Sequence, residues 1–351
     1  MDIERLKAAM KQHRRLLTAL LFASVIVFPL VSSGMTIRVG TNIMIYAILT
    51  MGAMLICGYT GMLNQGMAAF YGVGAYASAL LAVNFDLPFI VCFLAAGIIT
   101  ALVGLLIAVP CLRVETDFLS LITIAFANIF TAILNNWTSL TRGPAGVPGI
   151  PPAELFGFKF NTPVRSFYLM FGVVVLTYVI LNNLINSRVG RALQAVRDNE
   201  IGASSVGVNV NRNKVLAFAI GTFFAGLAGS LMAHFIGFVG PTNFTFDESL
   251  LVLQMCIIGG LGSMPGAIIG AAFFVIMPEL IRPLAVYRVG VGGVIMILCM
   301  LFRPQGIMGS RAYAGKGGFK RRSVLSCGAG MKQSRAACNP HRKLLYISIR
   351  N

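Results

Sequence analysis

Arg188, Arg191, Arg197, Asp198, Glu200, Arg212 and Lys214 crowd into the stretch from Asn186 to Lys214, in a chain that is only 11% charged. Charges of both signs on good helix formers suit ionic recognition of another surface rather than the making and breaking of bonds. Ala192, Ala195, Val196 and Ala203 can gather on one small-residue face with the charges around it. Such a helix either seats in a partner's groove, its ions fixing the register, or lies on the membrane as a basic loop helix.

The patterns of catalysis are missing from the sequence. It contains no G-x-x-x-x-G-K-[ST] to cradle a phosphate, no H-E-x-x-H, no G-x-S-x-G and no His and carboxylate cluster at ligand spacing. An enzyme is therefore not expected, nor a bound metal or cofactor. The seven cysteines include no C-x-x-C pair and receive no disulfide or metal role. Ionisable groups inside a membrane are functional by default, but the apolar runs hold few. Glu279 is placed to pair with Arg282 three residues on, and His234 reads as a packing histidine. A carrier driven by its own coupling ion is thus disfavoured, and the energy for any transport would come from another subunit.

The elements that must hold this loop follow from composition. At 351 residues, 57% hydrophobic, with a mean hydropathy of +0.82, the chain departs far from soluble proteins, which carry about 25% charged residues. The fold class is all-α, a polytopic transmembrane helical bundle of about 8–10 spans, since each crossing needs about 20 apolar residues. Candidate spans are Leu16 to Val31, Thr41 to Tyr59, Met67 to Val83, Pro88 to Val109 and Phe118 to Asn135, then Phe167 to Ile185, Val215 to Phe238, Ser249 to Gly262, Gly266 to Arg282 and Gly290 to Phe302. With ten spans and an inside N-terminus, only Arg38, Arg142, Lys159, Arg165, Arg282 and Arg288 face outward among the 28 Lys and Arg. That asymmetry predicts both termini in the cytoplasm. It also accounts for the net charge of +17 through anionic lipid, with no nucleic acid as partner. The expected organisation is a cytoplasmic N-terminus at 1–15, a transmembrane domain at 16–309 with an outer loop at 136–166 and the charged cytoplasmic loop at 186–214, and a basic disordered tail at 310–351. The N-terminal run reads as a signal-anchor, because Val31-Ser32-Ser33-Gly34 is a poor cleavage site.

Small residues four apart, Gly74 with Ser78, Ala225 with Gly229 and Gly266 with Gly270, predict close helix contacts within the bundle. Two zones, Gly58 to Gly66 and Gly259 to Gly266, are too rich in glycine and polar groups for lipid-facing helix. They are either broken segments beside a pathway or tight turns at the cytoplasmic face. An inverted repeat is possible, although these two zones do not correspond under a five-span inversion. In the outer loop, Gly143, Gly146 and Gly149 lie in a Pro-rich run that can meet an external partner, and Trp137 is placed to anchor at the interface.

The run from Gly190 to Ala203, followed by Val206-Gly207-Val208-Asn209-Val210, resembles the cytoplasmic coupling loop of ABC importer permeases, within them the branched-chain amino-acid group of LivM type. Leu63 to Tyr76, Gly143 to Pro151, Ile258 to Leu280 and Phe302-Arg303-Pro304-Gln305-Gly306 agree in order, so the similarity covers about Thr41 to Gly309. Met67, where relatives often carry histidine, and Asn64-Gln65, in place of Ser-Leu, depart from the family pattern. The resemblance implies an inner-membrane permease subunit importing leucine, isoleucine and valine, with a second LivH-type permease, two cytoplasmic ATPases that use the ATP, and a periplasmic binding protein. A permease for another small solute such as urea is the alternative, and a stand-alone carrier or channel a more distant one. Carried onto this chain, ATPase coupling falls to Gly190, Arg191, Ala195, Arg197, Asp198, Asn199, Glu200, Ala203 and Gly207. The pathway falls to Asn64, Gln65, Gly66, Gly72, Gly74, Gly259, Gly260 and Gly262, and binding-protein contact to Gly143, Gly146 and Gly149.

Overall fold

A computed structural model describes residues 28–29, 34–111, 116–155, 157–280, 288–302 and 306–309. The expected first span lies almost wholly outside them, as do the tail from 310 and Arg282, Glu279's expected partner. A helix occupies every expected span from Thr41 onward. Helix α1 (Gly34–Met54) runs on into a π-helical turn, Leu55–Tyr59, and is followed by α2 (Met67–Phe85), α3 (Phe89–Cys111) and α4 (Thr116–Asn136). After the short α5 (Thr138–Thr141) come α6 (Pro163–Asn186), α7 (Arg188–Asp198), α8 (Glu200–Ser205), α9 (Val210–Ile236), α10 (Phe246–Gly259), α11 (Met264–Leu280) and α12 (Arg288–Phe302). Two small antiparallel pairs form in and against the 136–166 loop: β1 (Val147–Pro148) with β4 (Phe238–Val239), which follows α9, and β2 (Glu154–Leu155) with β3 (Phe158–Lys159).

Six helices, α1 with its π turn, α2, α3, α4, α6 and α9, are long and apolar enough to cross a membrane. Helix α10 has 14 residues, which at 1.5 Å each rise about 21 Å, short of the ~30 Å core. The reason is where it starts. Residues 237–245 turn back into the bundle, burying Pro241 and Phe244, so α10 begins within the bundle.

Helix α9 is central, packing on α1, α2 and α3. Small residues let the backbones approach as the sequence predicts: Gly74 lies on the Gly226 backbone, Gly229 on the Tyr71 carbonyl, Gly266 on Gly259 and Gly270 on the Met255 carbonyl. Without water to drive association in lipid, this close dispersion contact and a buried bond such as Ser78 Oγ to Ser230 Oγ, 2.7 Å, hold the helices together.

Packing partners exchange between two sets of four helices, as an internal repeat requires. Helix α9 lies along α3 and α1 along α11; α2 packs on α3 and α4, as α10 packs on α11 and α12; α1 crosses α9, and α2 meets α10. The repeat therefore aligns α1–α4 with α9–α12. The break after α1 (60–66) corresponds to the break after α9 (237–245), and the 259–266 zone has a different place in the repeat.

Candidate functional site

The charged loop folds as two capped helices at one end of the bundle. Ser187 Oγ accepts the Gly190 N–H at 3.5 Å to start α7, Asn199 Oδ1 accepts the Gly202 N–H at 3.1 Å to start α8, and Asn209 Oδ1 accepts the Arg212 N–H at 3.0 Å to start α9. These caps satisfy amides that a helix start leaves unpaired. Gly190 is buried where any side chain would collide with the Ile185 carbonyl. Gly207 ends α8 at φ +83, a conformation that disfavours L side chains.

The inward face is Leu193, Val196 and Ala203, all buried. Val196 and Ala203 match the expected face, whereas Ala192 and Ala195 are half-buried at its edge. Outward, Arg191, Asp198, Asn199, Glu200 and Gly207 are exposed, together with two apolar residues that the sequence reading passed over: Ile201 at 82% and Val206 at 77% exposed. Glu200 is held by Lys214 Nζ at 2.7 Å. Arg197 differs from its neighbours. Its side chain, 11% exposed, turns into the bundle and donates to the Gly58 carbonyl at 2.8 Å.

The first Gly-rich zone is a broken segment, not a tight turn. After the π turn, residues 61–66 leave helical geometry and run beside α4, whose side chains replace the missing backbone partners: Ser120 Oγ donates to the Leu63 carbonyl at 3.0 Å and Thr123 Oγ1 accepts the Gln65 N–H at 3.1 Å. Asn64 Oδ1 accepts the Gly66 N–H at 2.9 Å, and its amide points at Met67 Sδ, 3.3 Å away. Such satisfaction by protein groups is what irregular backbone at membrane depth requires. The second zone is a turn: Gly260 (φ +109) and Gly262 (φ +82) connect α10 to α11, and the Ile307 and Met308 N–H groups donate to the Ile258 and Gly259 carbonyls at 2.9 and 3.0 Å. Both zones meet, because Gly58 lies directly on the Gly262 amide.

The glycines assigned to a pathway are contact points within this chain. Gly66 abuts the Thr123 carbonyl, Gly72 abuts Phe130 and Phe244, Gly74 abuts Gly226, Gly259 abuts Gly266 and Gly260 abuts Gly309. Asn64 is buried and Gln65 half-buried.

A carboxylate that sequence reading missed lies deeper. Tyr46 is 12 residues along the 26-residue element Gly34–Tyr59, about 18 Å from its start, and its hydroxyl donates to Glu248 Oε2 at 3.0 Å. Glu248 therefore sits at mid-depth, half-buried, in the first turn of α10. One residue on, Ser249 Oγ accepts the Ala68 N–H at 2.9 Å, so the starts of α2 and α10 face one another within the bundle. The only signal was Asp247-Glu248 ahead of an apolar run, which reads equally well as a membrane boundary.

At the opposite end, Gly143, Gly146 and Gly149 have φ of +60, +67 and +77. Gly143 and Gly146 are buried, while Pro144, Ala145, Pro148 and Gly149 form the exposed surface of the loop. His234 is a packing residue as expected: its ring nitrogens bond the Pro151 carbonyl at 2.7 Å and Ser78 Oγ at 2.9 Å. Trp137 is 52% exposed.

Residues 35–302 match the family described as the branched-chain amino acid transport system permease component. The high-affinity branched-chain amino acid transport system permease protein LivM of Salmonella typhimurium is 36% identical over 86% of this chain and 76% of its own length. LivM of Escherichia coli is 36% identical over 85% and 75%, and the E. coli permease protein LivH is 28% identical over 75% and 91%.

Proposed function

This chain belongs to the branched-chain amino-acid transport permease family, and from that membership we propose that it is one of two membrane subunits of an ATP-driven importer of leucine, isoleucine and valine. A LivH-type permease completes the pore, two cytoplasmic ATPases supply the work and a periplasmic protein delivers the amino acid. The carrying observation is the α7–α8 unit. Ile201 and Val206 stand exposed among Asp198, Glu200 and Arg191 on a rigid, doubly capped helix pair. A helix-in-groove contact needs that mixture of apolar knobs and orienting charges.

In this reading, ATP binding draws the loops of the two permeases together, and differential affinity of the ATPases for the two arrangements shifts the bundle between outward and inward openings. The pathway passes the facing starts of α2 and α10, where Asn64, Gln65 and Glu248 supply polar groups at depth. Glu248 has its open side there because a carboxylate facing hydrocarbon is costly.

The test is reconstitution in proteoliposomes with the second permease, the ATPases and the binding protein. ATP-dependent leucine uptake, blocked by excess isoleucine or valine and untouched by urea, is expected. Leucine movement by this chain alone, without ATPases, would refute the subunit role.

A further inference from the structure

We propose that Arg197 is a positioning residue that transmits movement of α7–α8 to both loops joining the membrane helices, rather than a contact to the ATPase. The proposal rests on reading α7–α8 as the coupling element.

Arg197 lies in the last turn of α7, one residue from the exposed Asp198 and three from the start of α8. A charged side chain so placed has free access to water, yet this one is turned inward. Its target explains why. Gly58 lies within the π-helical turn Leu55–Tyr59, and the residues that would pair with its carbonyl in helical register fall in the non-helical 61–66 segment. Arg197 Nη1 takes that place at 2.8 Å, within the range of charge-assisted bonds.

The same side chain touches two more points. Its Cγ would lie 3.1 Å from a Cβ at Gly61, and its Nη1 3.2 Å from a Cβ at Gly262. Both glycines have positive φ, +75 and +82. The first belongs to the break that leads into α2 and the second to the turn that leads into α11. One arginine side chain thus joins the coupling helix to the connection leading into α2 and to the one leading into α11. Nη2 reaches Asp198 Oδ1 at 3.4 Å, which steadies the outer edge of the fork. A shift of α7 by a few ångströms must either drag Gly58, and with it the Gly262 turn packed on Gly58, or break the bond.

The experiment compares the wild-type complex in proteoliposomes with R197M, R197K and G61A, each assembled with its partners. Leucine transported per ATP hydrolysed is measured in the presence of loaded binding protein. R197M removes the donor, R197K keeps the charge without the fork, and G61A presses on the Arg197 Cγ, displacing the side chain that carries the guanidinium, without altering the loop surface. The ratio is expected to fall at least about tenfold in R197M, the factor equivalent to losing one hydrogen bond to a charged group. It should fall less in R197K, and G61A should behave as R197M does. A ratio equal to wild type in those variants that assemble overturns the proposal, whatever their absolute rates, since a docking contact or a purely structural residue lowers uptake and hydrolysis together. Absence of ATP-dependent uptake by the wild-type complex would instead refute the coupling reading itself.

Discussion

Gly74→Ala separates a helix-contact role from a pathway-lining one. A Cβ built on Gly74 falls against the Cα, carbonyl carbon and oxygen of Gly226, with the carbon 2.7 Å away. All three are backbone atoms, so no side chain can swing aside. Ordinary carbon contacts lie near 3.6 Å, so α2 and α9 must part by about 1 Å along a seam that also holds the Ser78 to Ser230 bond. Forced overpacking of this kind costs about 1–3 kcal/mol. Gly172→Ala in α6 is the matched control: nothing lies within 4 Å of its Cβ position, and helix propensity favours the change. Thermal unfolding of the detergent-solubilised protein should show Gly74→Ala clearly less stable than wild type and Gly172→Ala at least equal to it. Equal stability of both variants, with uptake altered only in Gly74→Ala, would show that Gly74 borders open space and would refute the packing argument.

Replacing Ile201 and Val206 together by Asp should abolish co-purification of the ATPases while leaving the isolated chain's melting temperature unchanged, because both side chains are exposed. Glu200→Gln removes the charge that faces the largely buried Lys214 ammonium at 2.7 Å. Since Glu200 is itself half exposed, solvent screening limits the loss to about 1 kcal/mol, readable as a lower melting temperature. Glu248→Gln should reduce leucine uptake by the assembled importer more than Tyr46→Phe does, since the second keeps the carboxylate; equal, unimpaired uptake in both would remove this pair from the pathway. His234→Phe leaves the Pro151 carbonyl and Ser78 without their ring partner, a loss of about 1–3 kcal/mol that a melting curve of the purified chain should report.

The positions of the spans were legible because transfer of an apolar run into lipid is a local property of the chain, and each run from Thr41 onward has its helix. The charged loop was legible for the complementary reason: its polar side chains have no place in hydrocarbon, whereas the caps at Ser187 and Asn199 emerged only with the structure. The spacing-four pairs were legible too, since a helix puts such residues on one face regardless of context. Directions and depths were not. Arg197 reads as a surface charge among charges until it meets Gly58, 139 residues distant in sequence. Glu248 reads as a boundary residue until residues 237–245 fold back and carry the start of α10 to the level of Tyr46.

The sequence alone thus determined that this is a helical membrane protein with one strongly polar loop, because hydropathy and propensity act over a few residues. Tertiary structure decided which backbone each buried glycine meets, that one loop arginine faces inward, and that α10 begins within the bundle. Each of these depends on which distant backbone stands opposite, and a hydropathy pattern holds no information about that.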